Sequence, residues 1–156
     1  MSTKKILLIG CAGVAAIGLL LFVAFILFVA HVAKDPEGMK ISVNAPATVA
    51  RGKEFELVIN VVNERKDKPL KVSDVDIGEE YLKGFSVVSA EPQYVSSTKN
   101  GILDNRTFTF NHSVPPSSTN SIVFKLLGRK TGKYSSEIQV SEGMRMLTMI
   151  VETQVE

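Results

Sequence analysis

Cysteine occurs once, at Cys11, inside an apolar run near the N-terminus. The rest of the chain can form neither a disulfide nor a thiolate metal site, so its stability must come from packing. Histidine is almost as scarce, with only His31 and His112. No Gly-x-Ser-x-Gly or comparable nucleophile signature accompanies His112, which is read as an exposed strand-end residue. Catalysis needs a nucleophile with a base and an orienting group, or metal ligands in usable number. No catalytic residue and no cofactor is assigned, and the chain is read as a non-enzyme. Excess charge is also missing: the net charge is +2, with Lys and Arg interspersed among Asp and Glu. A nucleic-acid partner, which needs a concentrated basic face, is not expected. No low-complexity segment or internal repeat is present, and no Asp-x-Asp-x-Asp-Gly loop marks a calcium site.

What is present in excess is one apolar run. Residues 6–29 carry no charge, and the run extends past His31 to Ala33. A helix here would be roughly 36 Å long at about 1.5 Å per residue, enough to cross a hydrocarbon core of about 30 Å. The run exceeds the apolar region of a cleaved signal, and neither Ala30 nor Ala33 ends a small-x-small site. Leu8-Ile9-Gly10-Cys11 has the look of a lipobox, but only five apolar residues separate Lys5 from Cys11. The expected organisation is a cytoplasmic tail at 1–5, a transmembrane helix at 6–33 held in the lipid bilayer, a linker at 34–38 and a domain at 39–156. Lys4 and Lys5 ahead of the run favour an inner-membrane, single-pass protein with its C-terminal domain extracytoplasmic.

Beyond the linker the periodicity is two. Phe55, Leu57, Ile59 and Val61 share one face, as do Phe108 with Phe110, Ile122 with Phe124 and Leu126, and Tyr134 with Ile138 and Val140. Ile41 and Val43 supply a short first strand. The inward phase of the strand at Leu70 and Val72 shifts to Val75 and Ile77, which a bulge near Ser73-Asp74 would explain. Residues 146–151 are apolar on both faces and predict a strand covered on both sides. Turn residues punctuate these runs, Asn100-Gly101 being the strongest short hairpin signal. The class is all-β, and no amphipathic helix follows the apolar run.

Ala45-Pro46, then Arg51-Gly52-Lys53-Glu54-Phe55 leading into a strand that closes on Asn63, resembles the opening of prokaryotic immunoglobulin-like domains. Val114-Pro115-Pro116-Ser117-Ser118 and Gly132-Lys133-Tyr134 are similar to the late strands of the same group, which includes the cell-adhesion-related domain of bacteria and its fibronectin-III-like relatives. The likeness covers most of 39–156. It implies a β-sandwich in which Tyr134 would take a tyrosine-corner role, and it implies no chemistry.

The expected function is therefore a membrane-anchored, extracytoplasmic binding or scaffolding module that meets an envelope protein or polymer. Contact would come through an exposed sheet edge or through the loops at 64–69, 79–84 and 113–120. Met144 and Met146, with His112 brought near, are the candidate soft ligands of an alternative copper-handling or assembly role. An accessory subunit of a membrane complex, contacting its partner through the helix, is the other alternative. Asp74, Asp76, Glu79 and Glu80 form the densest acidic group, read as a solvated strand edge and loop. Lys125, Arg129, Lys130 and Lys133 form a basic group around a hairpin. Asn105-Arg106-Thr107 and Asn111-His112-Ser113 match the glycosylation pattern.

Overall fold

The computed structural model describes the backbone of residues 3–32 and 34–156, and the side chains of residues 17–32 and 34–156. The chain divides into two units, residues 1–34 and residues 35–156. The first is a helix, α1 (Thr3–Val32). From Ile17 to Val29 its large apolar side chains are exposed. Among the described residues no helix is long and apolar enough to cross a membrane. Cys11, Ala33 and the first part of the apolar run lie outside the described side chains.

The second unit is a two-sheet sandwich. Its strands are β1 (Met39–Asn44), β2 (Thr48–Val49), β3 (Glu54–Asn63), β4 (Leu70–Gly78), β5 (Phe85–Glu91), β6 (Ser96–Asn100), β7 (Asn105–Val114), β8 (Ser118–Gly128), β9 (Gly132–Glu142) and β10 (Arg145–Val155). One sheet runs β1-β3-β8-β5 and the other β2-β10-β9-β4-β7-β6. The first has the A-B-E-D order of an immunoglobulin domain, and β9, β10 and β4 supply the facing F, G and C strands. The fold is an immunoglobulin-like β-sandwich.

Alternation explains the layers. Leu57 lies opposite Phe124, and Ile59 opposite Ile122, in the β3–β8 ladder; all four are fully buried. The facing sheet contributes Val75, Ile77, Phe108, Ile138 and Val140. Phe108 and Phe124 meet across the layers, with ring centres 5.0 Å apart in an edge-on arrangement. Burial of such rings and branched side chains stabilises by about 1.5–3 kcal/mol each. The expected bulge is present: the β4–β7 register shifts between Val72 and Asp74, so Leu70 and Val72 on one side, and Val75 and Ile77 on the other, all reach the core.

Several expectations need correction. The segment 79–84 is not a plain loop but carries a one-turn helix, α2 (Glu79–Leu82). Tyr81 pins it, fully buried, with its hydroxyl 2.8 Å from Thr153 Oγ1; burial pushes that hydroxyl up to about 12. Asn100 and Gly101 do open a hairpin, but the loop has four residues, since Asn100 pairs with Asn105. Asn100 Oδ1 accepts the amides of Ile102 and Leu103, at 3.0 and 3.2 Å, and the positive φ falls on Asp104. The stretch around 127–134 is not a hairpin, because β8 and β9 belong to different sheets. Only residues 115–117 of the expected 113–120 loop lie outside strands.

Two polar clusters fix the strand ends. Asn63, fully buried at the end of β3, donates from Nδ2 to the carbonyls of Lys68, Val114 and Pro115, at 3.0, 3.0 and 3.1 Å. Its Oδ1 accepts the Arg65 amide at 3.1 Å. Arg65 then reaches the β9–β10 turn, where its guanidinium grips both carboxylate oxygens of Glu142, one at 2.7 Å. Its Nε donates to the Glu37 carbonyl at 2.6 Å. Gly38, at φ +65°, leaves room for the Arg65 side chain, which a Cβ there would meet at 2.9 Å.

Candidate functional site

The leading strand leaves one sheet edge open. β1 pairs with β3 along its whole length. The chain then crosses at Ala45-Pro46-Ala47, and β2 joins β10 only at Gln154 and Val155. Residues 145–153 of β10 pair with β9 on one side, and no strand pairs with them on the other among the described residues. Gln154 and Glu156 donate their amides toward the β2 side, at 2.8 Å to Ala47 and 2.9 Å to Val49. Peptide groups alternate along a strand, so those of Met146, Thr148, Ile150 and Glu152 also turn to the open side.

Apolar side chains line that edge. Met146 is 45% exposed and Ile150 72%, and Met144 and Met149 are exposed beside them. The expectation of a strand covered on both faces is corrected here. Val151, Thr153 and Val155 are buried, whereas Met146, Thr148 and Ile150 stand on an uncovered outer face. The other outer strands are blunted, as sheet edges usually are. β1 presents Lys40, Ser42 and Asn44; β5 is interrupted by a bulge between Val87 and Ser89; β6 is short and polar, with Lys99 exposed.

The candidate metal ligands are not brought together. Met146 lies on β10 opposite Ser141, and His112 on β7 opposite Val72. β9 and β4 intervene, which puts the two backbones about 14 Å apart at roughly 4.8 Å per strand. Opposite residues share a face, so His112 turns toward the interior with Val72 while Met146 turns outward. The expected exposed strand-end His112 is instead half-buried, its Nε2 lying 3.2 Å from Asn120 Nδ2. Among the described residues no group of three His, Cys, Asp or Glu side chains is arranged to hold a metal ion.

The acidic residues divide. Asp74 and Asp76 stand on the outer face of β4, accepting from Thr109 (2.9 Å) and Thr107. Asp76 borders a groove of about 390 Å³ together with Glu80, Asp104 and Glu137. Burial, reinforced by the Asp74 charge and opposed by the Thr107 hydroxyl, pushes the Asp76 carboxyl up. Glu79 goes the other way: burial raises it, but Lys99 at 3.2 Å and Arg106 at 3.1 Å more than offset this and hold it low. A raised acid pKa means that the unfolded chain releases the proton more readily, so the charge opposes folding at neutral pH. Asp76→Asn is therefore expected to stabilise the fold at pH 7, by a few tenths to about 1 kcal/mol after solvent screening. The gain should shrink on acidification, as urea melts at pH 7 and pH 4 would read out.

The basic group also separates. Arg129 Nε donates to Ser86 Oγ at 2.8 Å, Lys125 lies 4.0 Å from Glu54, and Lys133 lies 3.0 Å from Glu152. Both Asn-x-Ser/Thr triplets fall within β7 rather than in loops. Tyr134 opens β9, packs against Phe85 at 5.5 Å and donates to the Thr131 carbonyl at 3.4 Å, the local geometry of a tyrosine corner.

No family model matches the chain, and no curated protein does. Solved structures are similar in fold. A segment of the native conformation of Escherichia coli alpha-2-macroglobulin superposes with a TM-score of 0.52 at 12% identity, covering 78% of this chain and 7% of that one. The CARDB domain of the PF1109 protein from Pyrococcus furiosus, in complex with di-metal ions, gives 0.44 at 13% identity over 79% of this chain and 93% of that one. AvmM, which catalyses macrocyclization in alchivemycin A biosynthesis, gives 0.49 at 7% identity over 77% and 89%. At such identities the likeness concerns the fold alone.

Proposed function

We propose that the chain is a membrane-anchored, extracytoplasmic, non-catalytic module that binds or scaffolds an envelope partner by adding a strand to the open edge of β10. The observation that carries this reading is the edge itself, where unpaired peptide groups and exposed Met146 and Ile150 coincide. Backbone hydrogen bonds would supply affinity, and the side chains at alternate positions would supply selectivity. An extended protein segment suits this surface better than a polysaccharide, because it alone returns a matching row of amides and carbonyls. The anchor reading is supported by the unbroken apolar run 6–29 and by the exposed apolar side chains of its described part. A row of large apolar groups facing water is costly, and a bilayer removes that cost.

The test uses the full-length chain in intact cells. A photoreactive phenylalanine at Ile150 is expected to give cross-linked adducts, whereas one at Lys99 on the opposite outer strand gives none. Adducts at Lys99 alone, or none at either position, would remove the β10 reading. A Ser117→Cys, Cys11→Ser chain should react with an impermeant maleimide before lysis. Reaction only after lysis overturns the extracytoplasmic placement.

A further inference from the structure

We infer that the occupant of the β10 edge is a second copy of this chain, paired antiparallel across a two-fold axis at Thr148. The inference rests on the β10 reading above and names its partner. Two conditions limit the register. The peptide groups facing the open side belong to Met146, Thr148 and Ile150, and residues placed opposite each other must share a sheet face. Centring on Thr148 satisfies both. Met146 then lies opposite Ile150 of the second copy, twice, on the outer face, while Thr148 faces Thr148 on the axis. On the inner face Leu147 lies opposite Met149.

Each of these pairs joins apolar to apolar, or threonine to threonine, combinations that stabilise antiparallel ladders. A shift of one residue on each strand, centring on Met149, would put Met146 against Glu152 and Thr148 against Ile150, wasting both contacts. No residue from 146 to 151 is charged, so no like charges meet. The arrangement is isologous and closes on itself, joining two six-stranded sheets and leaving no apolar edge to propagate. A segment this short buries less than the roughly 1,200 Å² of an ordinary stable interface. Pairing therefore depends on confinement of both copies to one membrane, which raises their effective concentration.

Thr148 is exposed and on the axis, which makes a charge-swap experiment decisive. Two differently tagged full-length copies are co-expressed, and their co-purification from membranes is measured. Wild-type copies should co-purify. Thr148→Lys in both, or Thr148→Glu in both, should reduce co-purification at least about tenfold, because like charges then oppose across the axis. One Lys copy with one Glu copy should restore it, which also shows that the variants fold. Co-purification that survives Thr148→Lys in both copies overturns the proposal, since the copies then meet elsewhere. Absence of wild-type co-purification overturns it as well. If Ile150 adducts meanwhile carry a different protein, self-pairing fails and the binding-module reading stands. If Ile150 gives no adduct, both fail.

Discussion

Replacing Asn63 with alanine is expected to lower the unfolding free energy by about 3 kcal/mol, with a fall in Tm on the order of 10–15 °C. Four backbone groups lose a partner at once: the carbonyls of Lys68, Val114 and Pro115, and the Arg65 amide. Asn63 and its bond to Val114 are fully buried, so water does not replace that bond, while the partly buried groups of Lys68, Pro115 and Arg65 regain partners from water only in part. Asn63→Asp separates this account from a simple loss of volume. It keeps the size but sets a carboxylate against three carbonyl oxygens. Burial and repulsion would raise that carboxyl's pKa, and the deficit should lessen as pH falls through the raised value. The alanine deficit, measured against wild type at each pH, should not follow that course. Denaturant melts of both variants between pH 4 and pH 8 would decide, and equal deficits at all pH values would refute the network account.

The second large effect belongs to Arg65. Arg65→Ala is expected to cost about 2–4 kcal/mol, because it strands the Glu142 carboxylate in a site where that side chain is only 24% exposed. A paired replacement, Arg65→Met with Glu142→Leu, should recover most of the loss, since the penalty lies in the unpaired charge more than in the absent attraction. Acid should erase the difference between wild type and Arg65→Ala. The guanidinium hydrogen bonds, opposed by burial, hold the Glu142 carboxyl below the ordinary carboxylate range. As pH falls the unfolded chain takes up this proton first. The contribution is therefore whole above the ordinary range and is lost as pH drops through the lowered value. An Arg65→Ala deficit that stays constant down to pH 3 would contradict the pairing.

Much of the sandwich was legible because its core strands obey a period of two, broken only where a bulge intervenes. Phe55 to Val61 and Ile122 to Leu126 face inward as expected, and even the β4 bulge showed itself as a phase change between Val72 and Val75. What local pattern cannot show is which strand stands beside which. Residues 146–151 are apolar on both faces, and such a run ordinarily means cover on both sides. Here no layer lies over the outer face among the described residues, and the edge beside it is open because β1 pairs with β3 instead, a choice made far upstream. Tyr81 was hidden for a different reason. One turn of helix has no period to detect, and only the Thr153 hydroxyl, far along the chain, explains the buried phenol. His112 read as an exposed strand end because its partner Asn120 lies beyond a turn, in the opposite sheet.

The Arg65 clamp has a mechanical consequence. Traction entering through the chain ahead of Glu37 does not fall first on the β1–β3 ladder, because Arg65 already holds the Glu37 carbonyl and is itself fastened to Glu142 at the far turn. The first link to rupture under a pull is thus the hydrogen bond to the Glu37 carbonyl, and the Arg65–Glu142 pair that holds its donor in place weakens with acid and with salt. Such a domain would soften under strain as its surroundings acidify, while its core strands remain unchanged.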